Sequence, residues 1–475
     1  MSIIRTFSFG DQLAFARLSG DSNPIHVDAV AARRLLYGQP VVHGIHILLW
    51  ALEQAVPAVA ASGRLRLKAM SVQFRGPVLV DRPLELMIHH GPDSRVRLEL
   101  SSQGVRVTTV RVVLEHDNLP ASVAGLIFTI PPQSDCRRTD PAALPAARGS
   151  LPLYLDLTLA RSLFPALVAN LPPQQLAALL ATTRVVGMEA PGLDSLYLGL
   201  ELTAVADELP SNELRYAAES FDERFSLLTL QVTAAGISGQ VTAAVRPAPQ
   251  RQAEMAALQR IIRQGEFQGE RILIVGGSRG LGEVAVKALA AGGADVHFSY
   301  HAGAADAQEI VADIRAAGAE AACFPYDVEH VPCTLCEQLG EWQPTGLGYF
   351  ATPHIGAGIP GQFSIEEFHA FCECYVNGFV RTLNALNLKT LTGVLYPSSS
   401  FVTEQPANMA EYVAAKSAAE AACACIAKAH PAVTFYAPRF GRLATDQTVG
   451  LVSSGAPNPT DTIIEAVRRL WHHEK

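Results

Sequence analysis

The chain changes its hydrophobic period twice over. Residues 45–61 carry an apolar run interrupted by Glu53, Gln54 and Pro57. That run is too short and too broken to span a bilayer, and it predicts a buried helix. It gives way to alternation at 72–75, 96–100 and 105–115, the period-two pattern of half-buried strands. A helix followed by successive strands predicts an α+β domain with the sheet wrapped on the helix. The same order then returns, with an apolar helical stretch at 159–183 and strands at 196–203, 214–220, 225–233 and 239–245. Beyond residue 269 the pattern becomes a buried strand at Arg271–Val275, a helix over 283–291 and a strand over 295–300. Such alternation predicts βαβ units and a parallel sheet of the α/β class.

These periods divide the chain into 1–118, a Pro-, Ala-, Ser- and Asp-rich linker at 119–150, a second copy of the architecture at 151–250, a linker with a short helix at 251–268, and the parallel-sheet domain at 269–475. The length of 475 residues agrees, since a domain takes about 150 residues. The 49% hydrophobic and 17% charged content is that of a globular chain, and a net charge of −8 gives no reason to expect nucleic acid as a partner. Residues 1–10 lack a basic segment followed by an apolar one, so a cytoplasmic protein that neither enters nor crosses a membrane is expected. Of the eight cysteines, Cys333 and Cys336 form a C-x-x-C, but the next pair, Cys372 and Cys374, has different spacing. Free thiols and no metal site are therefore expected.

Chemistry concentrates first at Gly20-Asp21-Ser22-Asn23-Pro24-Ile25-His26-Val27-Asp28. Gly20, Asn23 and Pro24 make turns, so Asp21 and His26 sit on an ordered turn where carboxylate and imidazole can grip one water. Val41-Val42-His43-Gly44 follows, directly before the apolar helix. A backbone N–H at Gly44 would point from a helix N-terminus at a developing negative charge. G-D-x-N-P-x-H-x-D followed by V-x-H-G resembles the signature of the MaoC-like (R)-specific enoyl-CoA hydratases, which have the hot-dog fold. The resemblance covers the first domain. It implies that Asp21 and His26 activate water for addition to a 2-enoyl thioester, or reverse that step, that Gly44 binds the thioester oxygen, and that Asn23 braces the turn. His43 is expected to be structural and His46 an ordinary helix residue. The second copy has no such motif, although 184–195 resembles a hot-dog strand entry. It resembles the non-catalytic half of a double hot-dog and is expected to shape the acyl pocket.

A second constellation begins where Ile272-Leu273-Ile274-Val275 runs into Gly276-Gly277-Ser278-Arg279-Gly280-Leu281-Gly282. Glycines between an apolar strand and a helix let the backbone approach a pyrophosphate. G-x-x-x-G-x-G resembles the short-chain dehydrogenase/reductase family, and the likeness continues downstream. It implies cofactor contacts from Gly276, Ser278, Arg279, Gly280, Leu281, Gly282, Asp327 and Val328, and a proton-relay role for Asn377. Tyr412-Val413-Ala414-Ala415-Lys416 gives Y-x-x-x-K on one helix face, and Ser399 stands thirteen residues before Tyr412. By this resemblance Tyr412 is the proton donor, Lys416 lowers its pKa, and Ser399 orients the carbonyl. The strand at 295–300 ends without an acid and Arg279 is basic, so NADP(H) is expected rather than NAD. Three features depart from the family. Val275 replaces a threonine, Phe350-Ala351-Thr352-Pro353-His354 replaces N-N-A-G, and the segment at 446–459 and the end beyond 472 are short, which leaves a sheet edge for another domain or subunit to cover.

The whole is thus expected to be a tandem hot-dog followed by a Rossmann-type doubly wound sheet. It would act as a homodimer on an acyl-CoA or acyl-carrier-protein thioester, reducing a 3-oxoacyl group and dehydrating the (R)-3-hydroxyacyl product. Two alternatives stand beside this: a hydratase alone with the reductase fold as scaffold, and a non-catalytic protein that grips an acyl carrier protein.

Overall fold

The computed structural model describes residues 2–60, 63–116, 126–205, 212–234, 236–330, 333–448, 450 and 455–472. The chain divides into two units, one built on Met1–Ala248 and one on Pro249–Val449 with the closing helix Thr460–Trp471.

Ten strands of the first unit make one antiparallel sheet: β1 (Ser2–Thr6), β2 (Leu65–Phe74), β3 (Pro83–His90), β4 (Arg95–Ser102), β5 (Val105–His116), β6 (Arg148–Pro152), β7 (Ser195–Ala204), β8 (Glu213–Asp222), β9 (Leu227–Ala234) and β10 (Ile237–Val245). Across the sheet the order is β1-β3-β4-β5-β2-β7-β10-β9-β8-β6. The second five repeat the first five in mirror order, so two copies of one hot-dog topology meet edge to edge. At the seam Val72 lies opposite Leu200 and Ser71 opposite Glu201. Pairing there closes the edge that each half would otherwise expose. A single core joins the halves, with Leu48, Leu49 and Leu52 of the Gly44–Val59 helix and Leu179 and Leu180 of the Pro173–Arg184 helix in one cluster with strand residues of both halves.

The apolar stretch at 159–183 is three helices rather than one: Leu157–Leu163, Pro165–Asn170 and Pro173–Arg184. Each proline lacks an N–H and so begins a new helix instead of continuing the old one. The segment read as a linker is built into the unit from residue 126 onward. Leu126 and Leu144 are buried, Ile127 N–H bonds the Leu153 carbonyl at 3.0 Å, and Arg137 N–H bonds that of Met188 at 2.9 Å. The rest of that linker falls largely outside the described residues.

His46 lies fully inside the first unit. Its ring stacks on Phe15 at 4.5 Å and meets the edges of Phe7 and Phe164 at 4.8 and 5.9 Å. Neither ring nitrogen has a hydrogen-bond partner among the described residues, and burial depresses its pKa to about 3. An unfolded histidine titrates near 6.5, so the unfolded chain takes up a proton first as pH falls, and stability present above pH 6.5 is lost progressively toward pH 3. Between pH 7 and pH 5 this one residue costs about 2 kcal/mol. Urea unfolding at the two pH values is expected to show that loss shrink by about this amount in His46→Leu. An equal loss in variant and wild type would refute the assignment.

The second unit holds a parallel sheet of β11 (Arg271–Val275), β12 (Asp295–Tyr300), β13 (Ala321–Pro325), β14 (Gly346–Tyr349), β15 (Gly393–Leu395) and β17 (Thr434–Tyr436), ordered β13-β12-β11-β14-β15-β17. A small second sheet pairs β16 (Ser398–Ser399) with β18 (Arg439–Phe440). The main order is that of a Rossmann-type doubly wound sheet. Both faces are covered, which explains the unbroken apolar run in β11: Ile272 and Ile274 pack into one core cluster, Leu273 and Val275 into the other. The closing helix lays Trp471 over β14 and β15. Gly346 and Gly393 make room for it, since a Cβ on either would stand 2.5 or 2.9 Å from Trp471 Nε1. Among the described residues no helix is long and apolar enough to cross a membrane. Cys136, Cys323, Cys336, Cys372, Cys374, Cys423 and Cys425 are free thiols, and the Cys333 side chain lies outside the described residues.

Candidate active sites

The first site is set by two helix ends. The Phe9–Ser19 helix starts with a Ser8–Asp11 capping box and stops at Gly20, whose φ of +77° is the left-handed conformation that glycine adopts without strain. The chain there turns inward and buries Asp21. Asn23 caps the short Pro24–Val27 helix through Ile25 N–H at 3.2 Å, which places His26 one turn on. Asn23 Nδ2 donates toward the carbonyls of Gly187, Gly192 and Leu193 at 3.1, 3.1 and 3.2 Å, so the expected bracing is made against the second half.

Asp21, His26 and His43 bring their donor atoms within 4.8 Å of one another. This is a hydrogen-bonded cluster rather than a free ligand set. His43 Nε2–H donates to the Asp21 carbonyl at 3.0 Å, and its Nδ1 lies 3.1 Å from Gln12 Oε1. His26 Nδ1–H donates to the Val41 carbonyl at 2.8 Å, which leaves the Nε2 lone pair as the ring's basic position. Burial raises the Asp21 carboxyl and lowers both histidines, His43 well below the ordinary imidazole range. The attraction between Asp21 and His26 opposes burial at both groups. A carboxyl pushed up beside an imidazole pushed down brings the two groups closer in proton affinity, as a pair that passes protons requires.

Asp21, His26 and Gly44 line one cavity of about 140 Å³. Gly44 is the first residue of its helix, and its N–H has no hydrogen-bond partner among the described residues. A side chain there would crowd the Phe74 ring, 3.1 Å from an added Cβ. The opposite wall comes from the second half, with Thr183, Val186, Gly187, Leu196 and Tyr197. Sequence reasoning missed Thr183 and Gly187, which belong to no motif of their own. The segment expected to enter a strand instead prolongs the helix as a π turn, Val185–Glu189, and so carries Gly187 against Asp21.

In the second unit Gly276 (φ +82°) lets the loop turn under Ala351, whose backbone would meet an added Cβ at 2.7 Å. Gly282 packs its Cα on the Gly276 carbonyl, 2.1 Å from a hypothetical Cβ. Arg279, Gly280, Leu281 and Gly282 then line a cleft of about 450 Å³ that also holds Ser399, Tyr412 and Lys416. Gly276, Ser278, Asp327 and Val328 stand outside that lining. Gly276 N–H bonds Ser299 Oγ at 3.2 Å, and the Asp327 carboxylate takes His330 Nδ1–H at 2.8 Å.

Tyr412 and Ser399 line the same cleft, and the Ser399 hydroxyl favours the ionised form of the phenol. Its pKa is nevertheless raised, because burial outweighs the effect of the Ser399 hydroxyl. Tyr412 is therefore a protonated donor at neutral pH. Lys416 Nζ donates to the Pro397 carbonyl at 2.9 Å and lies 3.9 Å from the centre of the Tyr375 ring; burial draws its pKa down to about 7. The expected relay residue is a correction. Asn377 is exposed and bonds Glu373, outside the cleft. The π turn Glu373–Gly378 aims Tyr375 inward instead, with its hydroxyl 2.6 Å from Thr352 Oγ1, a residue of the segment that replaces N-N-A-G.

Residues 4–112 match the family described as MaoC like domain, and residues 270–448 match short chain dehydrogenase. The chain thus joins a MaoC-like domain to a short-chain dehydrogenase domain. It is 32% identical over 105 residues to the peroxisomal multifunctional enzyme type 2 of Drosophila melanogaster, a match covering 22% of this chain and 16% of that protein. It is 35% identical over 107 residues to the fatty acid synthase subunit beta of Gibberella zeae, covering 22% of this chain and 5% of that one. The chain therefore matches only a small part of each curated relative. Among solved structures, a short chain dehydrogenase from Burkholderia cenocepacia J2315 in complex with NADP aligns with a TM-score of 0.39 at 24% identity, over 44% of this chain and 93% of that one. A 3-oxoacyl (acyl-carrier-protein) reductase from Agrobacterium tumefaciens C58 with NADP bound aligns with a TM-score of 0.40 at 18% identity, over 44% and 89%.

Proposed function

We propose that the chain is a bifunctional acyl-thioester enzyme. Its second unit reduces a 3-oxoacyl thioester to the (R)-3-hydroxyacyl thioester with NADPH, and its first unit dehydrates that product reversibly to the trans-2-enoyl thioester. The observation that carries the reading is that one chain holds Asp21 and His26 over a cavity closed by Gly44, and also Ser399, Tyr412 and Lys416 in a glycine-edged cleft.

In the hydration direction Asp21 and His26 share one water. One takes its proton as the oxygen bonds C3, and the other returns a proton to C2. The Gly44 N–H, at a helix N-terminus, faces the thioester oxygen as negative charge gathers there. Dehydration runs the same transfers backwards.

The second cleft fits NADP(H). Gly280, at φ +58°, lines the cleft at the end of the loop, where a Cβ would rest in ordinary contact with Thr445 at 3.6 Å. Arg279 lies at the mouth of that loop and β12 ends without an acid, which suits a 2′-phosphate. When bound, NADPH supplies the hydride for the ketone. Tyr412 gives its proton to the resulting alkoxide, Ser399 holds the carbonyl oxygen, and Lys416 stands one helical turn behind Tyr412. The exposed position of Asn377 favours a second reading, a hydratase with the reductase fold as scaffold.

Acetoacetyl-CoA and NADPH with the purified protein separate the two. NADPH loss with both 3-hydroxybutyryl-CoA and crotonyl-CoA in the product mixture is expected. NADPH left intact, with crotonyl-CoA still hydrated in a parallel sample, would leave only the hydratase.

A further inference from the structure

The half without the acid–histidine motif reaches the catalytic carboxylate. Thr183 Oγ1 donates to Asp21 Oδ2 at 2.7 Å, and both groups are buried. Asn23 N–H supplies Oδ1 at 3.2 Å from within the motif itself. Gly187, one helical turn beyond Thr183, lies so close that a Cβ would stand 2.2 Å from Asp21 Oδ1. The three carbonyls that hold Asn23 come from the same stretch. A carboxylate caged this tightly has one orientation.

We propose that Thr183 is a positioning residue for the hydratase reaction: its hydroxyl, from the second half, fixes the rotamer of Asp21 and favours its ionised form. Two facts make the bond more than packing. Thr183 lines the same cavity as Asp21 and His26, and Asp21 Oδ2 has no other hydrogen-bond donor among the described residues. A hydroxyl donor to a buried carboxylate opposes the desolvation that would otherwise keep the carboxyl protonated. The other titratable or charged groups near Asp21 are His26, His43, Cys136 and Arg246. Arg184, next to Thr183, turns its guanidinium away to the Pro152 carbonyl and the Tyr154 ring. Thr183 is therefore the second half's one direct hydrogen bond to the Asp21 carboxylate among the described residues. It also gives that half a reason to be kept beside a complete motif.

The inference rests on the hydratase reading, and the test keeps the two apart. Crotonyl-CoA hydration is followed from pH 5 to 9 for wild type, Thr183→Val, Thr183→Ser and Thr183→Ala. Thr183→Val keeps shape and removes the donor. It is expected to lose about 10- to 100-fold in kcat/KM, and the limb of the profile that reports Asp21 is expected to move up by about one pH unit. Thr183→Ser restores both, and Thr183→Ala repeats the loss should valine prevent folding. A Thr183→Val or Thr183→Ala profile superimposed on wild type, or a serine variant no better than valine, overturns the proposal alone. A wild type silent toward crotonyl-CoA overturns it together with the hydratase reading.

Discussion

Asp21→Asn is expected to lower crotonyl-CoA hydration by about 10²- to 10⁴-fold while NADPH oxidation with acetoacetyl-CoA continues. The substitution is isosteric. With its one amide oxygen in the Oδ1 position the asparagine still accepts from Asn23 N–H, and its NH2 in the Oδ2 position can donate to the Thr183 hydroxyl, so both contacts keep a partner. The loss is chemical, because an amide neither takes a proton from water nor returns one. Its readout is a divided one, since the alcohol from the second unit would accumulate instead of the enoyl product. Hydration at the wild-type rate in Asp21→Asn would remove the carboxylate from the mechanism. Parallel loss of NADPH oxidation would show damage beyond the site.

Tyr412→Phe is expected to do the converse, cutting NADPH oxidation by about 10²- to 10⁴-fold and sparing hydration. The ring sits among Phe371, Tyr375 and Phe401, with centroids 5.8, 5.8 and 6.4 Å away, and a phenylalanine keeps those contacts. Only the hydroxyl, on the cleft that Ser399 also lines, is removed. The raised pKa of Tyr412 sharpens the expectation, because a phenol that stays protonated at neutral pH donates but is a poor base there. Loss of Tyr412 should therefore be felt in reduction at every pH below its titration. Unchanged NADPH oxidation in Tyr412→Phe would favour the scaffold reading of the second unit.

Much of this organisation was legible in the residues, and the exceptions have physical reasons. Alternation found the central strands because one face of each is buried, as in β4, where Val96 and Leu98 alternate with exposed Arg95 and Arg97. It missed β1 and β6, five-residue edge strands with weak or no alternation in burial, and β3, where the apolar Met87 breaks the alternation begun by Leu84 and Leu86. The apolar period over 159–183 shows a helical stretch but not its division into three helices at Pro165 and Pro173. Asp21, His26 and Gly44 could be named because their chemistry is packed into two short segments. Thr183 and Gly187 could not, because they meet Asp21 across more than 160 residues of chain, through the two-fold repeat of the sheet. Asn377 was misplaced for a different reason. A π turn changes which residue of a helix faces the cleft, and composition does not announce it. Tyr375, two residues earlier, takes the inward place.

Complementation between the two variants tests most directly whether both sites work on one shared intermediate. Asp21→Asn is given acetoacetyl-CoA and NADPH, the 3-hydroxybutyryl-CoA it makes is assigned by chiral analysis, and Tyr412→Phe is then added. The expected result is the R isomer, consumed to crotonyl-CoA only after the second variant arrives. An S product, or an R product that Tyr412→Phe leaves untouched, would contradict the joining of the two chemistries in this chain.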